Sequence, residues 1–298
     1  MGHPLGYVGR RALDHYRVGP GKGHRLVAER EFAIVRIREN IAWKSNAMTD
    51  GRTIPPCDGA CADAASFSFV MAFQPVVDVA ARKIYAYEAL VRGPNGESAG
   101  SVLGQVTDSN RYAFDQACRV KAIETAARLG LDRRLNINFM PNAVYHPEAC
   151  LRLTLMAALE HGFPLDLITF EFTEDERIMD RAHLKSIIET YKRSGFQTAL
   201  DDFGAGYAGL SLLADFQPDT IKIDRCLVDR IDTDKPRQAV IAGVLTTAGL
   251  LGLDVVAEGV ERREELETLR ELGVHRFQGF LFARPALGRL IRDDEIAW

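Results

Sequence analysis

The stretch AHLKSIIETYKRSGFQTALDDFGAGY, from Ala182 to Tyr207, decides the fold. As far as Gly195 it has the pattern of an amphipathic helix; then comes a short apolar run, QTALDD, that closes on two adjacent aspartates. Helix followed by strand is one unit of an α/β chain. The unit recurs, because the apolar runs RLNINFM, LITFEFTE, DTIKID and DVVAEG are separated by helix-like stretches such as RQAVIAGVLTTAGLLG. Short β-rich runs alternating with amphipathic helices predict parallel strands joined by crossovers.

Upstream, FVMAFQPVVDV and KIYAYEALV read as two strands joined by a short turn, since alternating apolar, β-branched and aromatic side chains suit a pleated surface. FDQACRVKAIETAARLG reads as a helix: Phe114, Ala117, Val120, Ile123 and Ala127 recur at spacings of three and four, and Gly130 can stop it. With HRFQGFLFA at the far end the strands number about eight, the count that closes a (β/α)8 barrel. An open doubly wound sheet is the alternative. It lacks its usual dinucleotide site here, because no GxGxxG turn follows an early strand.

The chain has 298 residues, 47% of them hydrophobic, which suits one large enzyme-sized domain. A net charge of −4 gives no ground for wrapping a nucleic acid polymer or adhering to an anionic membrane. Five dispersed cysteines (Cys57, Cys61, Cys118, Cys150, Cys226) are not a disulfide framework and point to a reducing cytosol. No run approaches the ~20 apolar residues of a membrane span, and the N-terminus lacks a secretory core. A soluble, cytoplasmic protein is expected. Residues 1–50 carry nine Lys or Arg against five Asp or Glu, and residues 49–65 are rich in Pro, Gly and Asp. The expected organisation is therefore an N-terminal extension and linker over 1–65, with disorder as one reading, and a barrel over 66–298. In the linker, CDGAC reads more readily as two free thiols, Cys57 and Cys61, than as a metal site.

The acids gather where the apolar runs end. Glu171 and Glu174 end one, Asp201 and Asp202 the next, Asp224 another and Glu258 the one after, while Glu88 lies late in the second strand. In a parallel barrel those ends open onto one face, where active sites sit. Converging carboxylates raise one another's pKa, so protons or cations must compensate them. Oxygen ligands without paired histidines favour Mg2+ or Mn2+ over zinc. Adjacent Asp201 and Asp202 suit a two-metal centre in which one carboxylate bridges ions ~3.5–4 Å apart. Each piece also has a plainer reading. Asp224 or Glu174 alone reads best as a helix cap or solvated loop residue, and Asp-Asp before a glycine turn reads equally as turn chemistry. Asn138 alone reads as a strand-end hydrogen-bonding residue. Lys222 alone reads as a solvated lysine, but it shares a strand face with Asp224 by the two-residue period, so an inward direction is open to it. Four successive strands ending in acids point to a built site.

Taken in order, the motifs resemble the EAL-domain family of cyclic di-GMP phosphodiesterases, from about Phe69 to Pro285. They are FQP at Phe73 to Pro75, Glu88-Ala89-Leu90 continuing to Arg92, Asn138 in NINFMP, EFTE at Glu171 to Glu174, DDFGAGY at Asp201 to Tyr207, KID at Lys222 to Asp224, AEGVE at Ala257 to Glu261, and QGF at Gln278 to Phe280. The resemblance implies a modified (β/α)8 barrel, commonly a homodimer, that opens cyclic di-GMP to linear pGpG with two Mg2+ or Mn2+ ions. It implies that Glu88, Asn138, Glu171 and Asp201 hold one metal, and that Asp201, Asp202 and Glu258 hold the other or its waters. Lys222 would help position the attacking water and Gln278 would support water or substrate. Gln74, Leu90 and Arg92 would contact substrate, and Glu174 would brace the loop after Asp202. The chain departs from the family pattern at Gly93, at the NFM of Asn138 to Met140, and at Ala205, Ala208 and Gly209, where hydroxyls are lost. An enzyme is expected. A catalytically weak cyclic di-GMP receptor acting through a protein partner is the second reading, and another phosphate-handling barrel the third.

Overall fold

The computed structural model describes residues 67–144, 146–173, 180–206 and 209–298. The expected N-terminal extension and linker, with Cys57 and Cys61, lie outside these residues, as does Glu174.

Among the described residues nine strands form one sheet: β1 (Val70–Asp78), β2 (Lys83–Arg92), β3 (Arg134–Asn138), β4 (Ile168–Thr173), β5 (Gln197–Phe203), β6 (Thr220–Ile223), β7 (Asp254–Ala257), β8 (Arg276–Phe277) and β9 (Ala286–Leu287). Strands β2 to β8 pair in chain order and in parallel, and β1 closes the ring by pairing with both β8 and β2. The result is a (β/α)8 barrel with one modification, since β1 runs antiparallel to both neighbours. The parallel set expected from the repeating helix–strand unit runs from β2 onward, and the two initial strands expected to be joined by a short turn form the antiparallel pair β1–β2. The physical reason is the connection: only four residues separate β1 from β2, enough for a hairpin and far too few for a crossover.

Downstream of β2 the crossovers are helical. The spacing-based helix appears as Arg111–Arg128, and further helices span Pro147–Glu160, Arg181–Arg193, Gly209–Asp215, Arg225–Val228, Lys235–Leu251 and Arg263–Leu272. Their starts are written in the sequence: Asp180 accepts from the Ala182 and His183 N–H groups, and Asp234 from that of Arg237. The short last run, HRFQGFLFA, is a strand only at Arg276–Phe277. Strand β8 stops at Phe277 because Gln278 turns to a new partner, its carbonyl accepting from the Val260 N–H at 3.1 Å. Gly279 makes this crossing possible, since a Cβ there would sit 2.0 Å from the Val260 carbonyl oxygen. The chain then returns as β9, which pairs with β1 beyond the point where β8 leaves it.

Burial follows the two-residue period of the strands. Phe73, Leu135, Ile137, Phe170, Phe172, Leu200, Ile221, Ile223 and Phe277 belong to the main core between sheet and helices. The residues between them carry the other face. A separate small apolar cluster of Val76, Ala86 and Val256 occupies it at one level, and buried Gln74, Glu88, Asn136, Glu171, Asp201, Lys222 and Gln278 occupy it at another. Sandwiching Glu88, Asn136, Glu171 and Lys222 between core residues of their own strands fixes their backbone at low cost, because each large buried side chain contributes about 1.5–3 kcal/mol. Among the described residues no helix is long and apolar enough to cross a membrane.

Candidate functional site

Lys222 is the centre of the polar face. It is 1% exposed on β6, flanked by core residues Ile221 and Ile223, and its ammonium reaches four carboxylates on four other segments. Nζ lies 2.8 Å from Glu258 Oε1, 2.9 Å from Glu171 Oε2, 3.0 Å from Asp201 Oδ1 and 3.4 Å from Glu88 Oε2. The strand ends therefore do converge. A solvated lysine is excluded by its burial.

Two groups of three carboxylates have ligand atoms within 4.8 Å of one another: Glu88, Glu171 and Asp201 in one, Asp201, Asp202 and Glu258 in the other. Asp201 belongs to both. How adjacent aspartates face one site is a question of backbone, since successive strand residues ordinarily point to opposite faces. Asp202 breaks the alternation with φ of 53° in the left-handed region, where aspartate is tolerated better than most residues. The β5–β6 register shifts between Leu200 and Phe203, and the Asp202 N–H donates to Asp201 Oδ1 at 3.0 Å. Gly204, with φ of 101°, then carries the loop past Leu227, whose Cδ1 would lie 2.4 Å from any Cβ there. Turn chemistry and a shared carboxylate site thus coexist at Asp201-Asp202.

Amides fix the carboxylates. Asn138 Nδ2 donates to Glu88 Oε1 at 2.8 Å, and Gln278 Nε2 donates to Glu88 Oε2 at 2.8 Å and to Gln74 Oε1 at 3.3 Å. Asn136 Nδ2 donates to Glu171 Oε1 at 2.8 Å. Asn136 is absent from the sequence expectations, although the two-residue period from Asn138 puts it on the same face one step deeper. Gln74 also donates to the Ala283 carbonyl at 3.3 Å. Leu90 and Arg92 are partly buried at the end of β2, and Arg92 Nη1 donates to the Val91 carbonyl at 2.7 Å; neither joins the carboxylate groups. Asp224 follows its plain reading, capping Arg225–Val228 by accepting from the Cys226 N–H.

Charge is unbalanced here. Five carboxylates against one ammonium leave four uncompensated negative charges when all are ionised, the charge that two divalent cations neutralise. Burial holds Glu171 well above the usual carboxylate range; Lys222 opposes this, and Glu88 and Asp201 add to it. Glu258 is raised likewise by burial and then by Asp201, and burial with the Asp201 charge pushes Asp202 up to about 6. Burial disfavours the charge on Lys222, but the surrounding carboxylates, Asp201 foremost, outweigh it and hold its pKa well above that of ordinary lysine. An all-oxygen set with excess negative charge and one shared carboxylate fits hard divalent cations. Gln278 Oε1, buried without a hydrogen-bond partner among the described residues, leaves one further acceptor in the site.

Known proteins share this frame. A standalone versatile EAL protein from Vibrio cholerae O395, solved in its c-di-GMP bound form, is 51% identical, with a TM-score of 0.74 over 76% of this chain and 96% of that one. BlrP1 from Klebsiella pneumoniae, in a manganese/cy-diGMP complex, is 37% identical, with a TM-score of 0.71 over 75% of this chain and 57% of that one. The blue light- and temperature-regulated antirepressor BluF of Escherichia coli (strain K12) is 34% identical over 80% of this chain, which spans 59% of BluF's length. The sequence pattern of the EAL domain matches residues 62–285, and on that extent of agreement the chain belongs to the EAL domain family.

Proposed function

We propose that the chain is a cytoplasmic, metal-dependent phosphodiesterase that hydrolyses cyclic di-GMP to linear pGpG. The observation that carries the reading is the pair of carboxylate groups sharing Asp201 around a buried lysine. The binding of c-di-GMP by the Vibrio protein, and of manganese with cy-diGMP by BlrP1, supports the choice of ligand and cation.

In this reading Glu88, Asn138, Glu171 and Asp201 hold one Mg2+ or Mn2+, and Asp201, Asp202 and Glu258 hold the second. When bound, such ions lower the pKa of a shared water and offset charge on the phosphate oxygens. The chain's own residues do the rest. Asn136 and Gln278 hold Glu171 and Glu88 in place through hydrogen bonds to one oxygen of each. Lys222 stays charged and donates to whichever oxygen is nearest, so it orients the attacking water among the carboxylates. Arg92 supplies a planar fork for a phosphate oxygen pair once it leaves the Val91 carbonyl. Gln74 and Leu90 line the approach beside it. The working form is a homodimer.

The second reading is a catalytically weak cyclic di-GMP receptor that acts through a protein partner; the antirepressor role in BluF's name favours it. Hydrolysis of cyclic di-GMP by the purified chain with Mg2+ or Mn2+, against an EDTA control and with direct measurement of bound nucleotide, separates the two. Cation-dependent pGpG supports the enzyme. Tight binding without turnover supports the receptor.

A further inference from the structure

A second buried charge lies outside the site, in the layer between the barrel and its helices. Arg119, on helix Arg111–Arg128, is 0% exposed and is enclosed by three aromatic rings: its guanidinium carbon is 5.3 Å from the ring centre of Phe139, 5.2 Å from that of Phe170 and 5.7 Å from that of Tyr191. Nη2 lies 2.6 Å from Asp115 Oδ2, and Nη1 donates to the Tyr191 hydroxyl at 2.7 Å. The Asp115 contact is close but poorly directed for a hydrogen bond, and Arg119 Nε has no acceptor among the described residues. An ion pair this deep is a poor device for stability alone, because apolar residues of the same volume would serve as well.

What distinguishes it is where its contacts land. The other oxygen of Asp115, Oδ1, accepts from the Met140 N–H at 2.9 Å, two residues beyond Asn138. Phe139, which covers Arg119, is the residue between them, and its own N–H donates to the Glu171 carbonyl at 2.9 Å. Phe170, the second ring over Arg119, precedes Glu171, and the Phe139 ring also packs edge-on against Phe170 and Phe172, the two neighbours of Glu171. The cation and its acid thus grip the backs of the two strand ends whose fronts carry Asn138 and Glu171.

We propose that Asp115 and Arg119 are positioning residues for the cation site: Asp115 pins the β3 exit through Met140, and Arg119, through Phe139 and Phe170, keeps Asn138 and Glu171 in register. This rests on the reading that Glu88, Asn138, Glu171 and Asp201 hold a divalent cation. Supporting groups of this kind typically change metal affinity by about 10–100-fold.

The test is titration of the full chain with Mn2+, followed by the electron paramagnetic resonance signal of the free ion, with thermal unfolding recorded on the same samples. Asp115→Ala removes both the charge and the Met140 acceptor, and should weaken the tighter Mn2+ site about tenfold. Asp115→Asn keeps an amide oxygen for the Met140 N–H while leaving Arg119 unpaired, so it should unfold earlier than the unsubstituted chain and yet recover most of the Mn2+ affinity. The double variant Asp115→Ala/Arg119→Met removes the unpaired charge, keeps the barrel folded if Asp115→Ala alone does not, and should still bind Mn2+ weakly. Unchanged affinity in the folded Ala variants would overturn the proposal, leaving the pair a purely structural one. Equal loss in Asp115→Asn and Asp115→Ala would also overturn it. No Mn2+ binding by the unsubstituted chain would instead overturn the cation reading, and this inference with it.

Discussion

Replacing Lys222 by Met removes the ammonium at the centre of the carboxylates while keeping the length and apolar stem of the side chain. The four contacts of 2.8–3.4 Å would each be worth roughly 5–6 kcal/mol between unit charges at an effective dielectric of about 20. Most of that is already spent on desolvating lysine and acids, and breaking a buried pair by removing one partner costs about 3–5 kcal/mol net. At roughly 2–4 °C per kcal/mol for a domain of this size, Lys222→Met in EDTA should unfold about 6–20 °C below the unsubstituted chain. The loss has a pH signature. Lys222 lowers the pKa of Glu171, Glu258 and Asp202, whose folded values are nonetheless raised. In the window between the unfolded and folded values of these acids the folded state binds more protons, so stability falls as pH rises. Removing the ammonium raises those values further, and the deficit should be larger at pH 8 than at pH 5. Mn2+ should narrow it, because a divalent cation binds the five carboxylates more tightly once the competing ammonium is gone, and each tenfold gain in affinity adds about 1.4 kcal/mol to the variant alone. Circular dichroism melts at both pH values, with EDTA and with Mn2+, make the comparison. Equal melting temperatures for the two chains in EDTA at pH 8 would show that the lysine is not what holds the acids together.

Other changes separate chemistry from architecture. Glu88→Ala removes a carboxylate held by Asn138 and Gln278, and should abolish cation-dependent hydrolysis while leaving the barrel folded; near-normal turnover would remove Glu88 from the site. Gly279→Ala forces a Cβ to within 2.0 Å of the Val260 carbonyl oxygen, so the loops bearing Gln278 and Glu258 must separate. A loss of about 1–3 kcal/mol in urea unfolding is expected, together with weakened Mn2+ binding, and an unchanged midpoint would refute the close approach. Deleting residues 1–62 should leave a cooperative unfolding transition, and its disappearance would move the proposed domain boundary.

The periodic parts of the chain were open to reading from the residues alone. Helix Arg111–Arg128 was legible because Phe114 and Ile123 are packed on one face, and the strand ends were legible because acids there have no apolar reason to exist. Direction was legible too: a run such as VMAFQPVVD looks the same parallel or antiparallel by itself, but the short turn to the next strand leaves room only for a hairpin. The end of the last short strand was not legible, because QGFLFA has strand-forming residues but Gly279 takes the backbone across Val260. At the site, Lys222 was ambiguous because a lysine in sequence carries no mark of burial. Asn136 escaped because an asparagine one step inside a strand end resembles any polar strand residue. Asp202 could be read as a ligand, yet its left-handed backbone, which turns it toward the same site as Asp201, has no mark in the sequence.

The reversed first strand sets a timetable. Ala72 pairs with Leu287, Gln278 reaches back to Glu88, and the Ile84 N–H donates to Asp293, so the ends of the barrel sequence meet only across about two hundred residues. Contacts of such sequence separation form late, because the chain between them must be ordered before they repay its entropy. During synthesis the hairpin of β1 and β2 emerges first and waits with one edge bare until the segment after Phe277 leaves the ribosome. Until then Glu88 on β2 lacks the Gln278 that steadies it. A chain interrupted anywhere before that point would carry an open sheet edge and a half-built cluster of like charges, a state more apt to aggregate than to act.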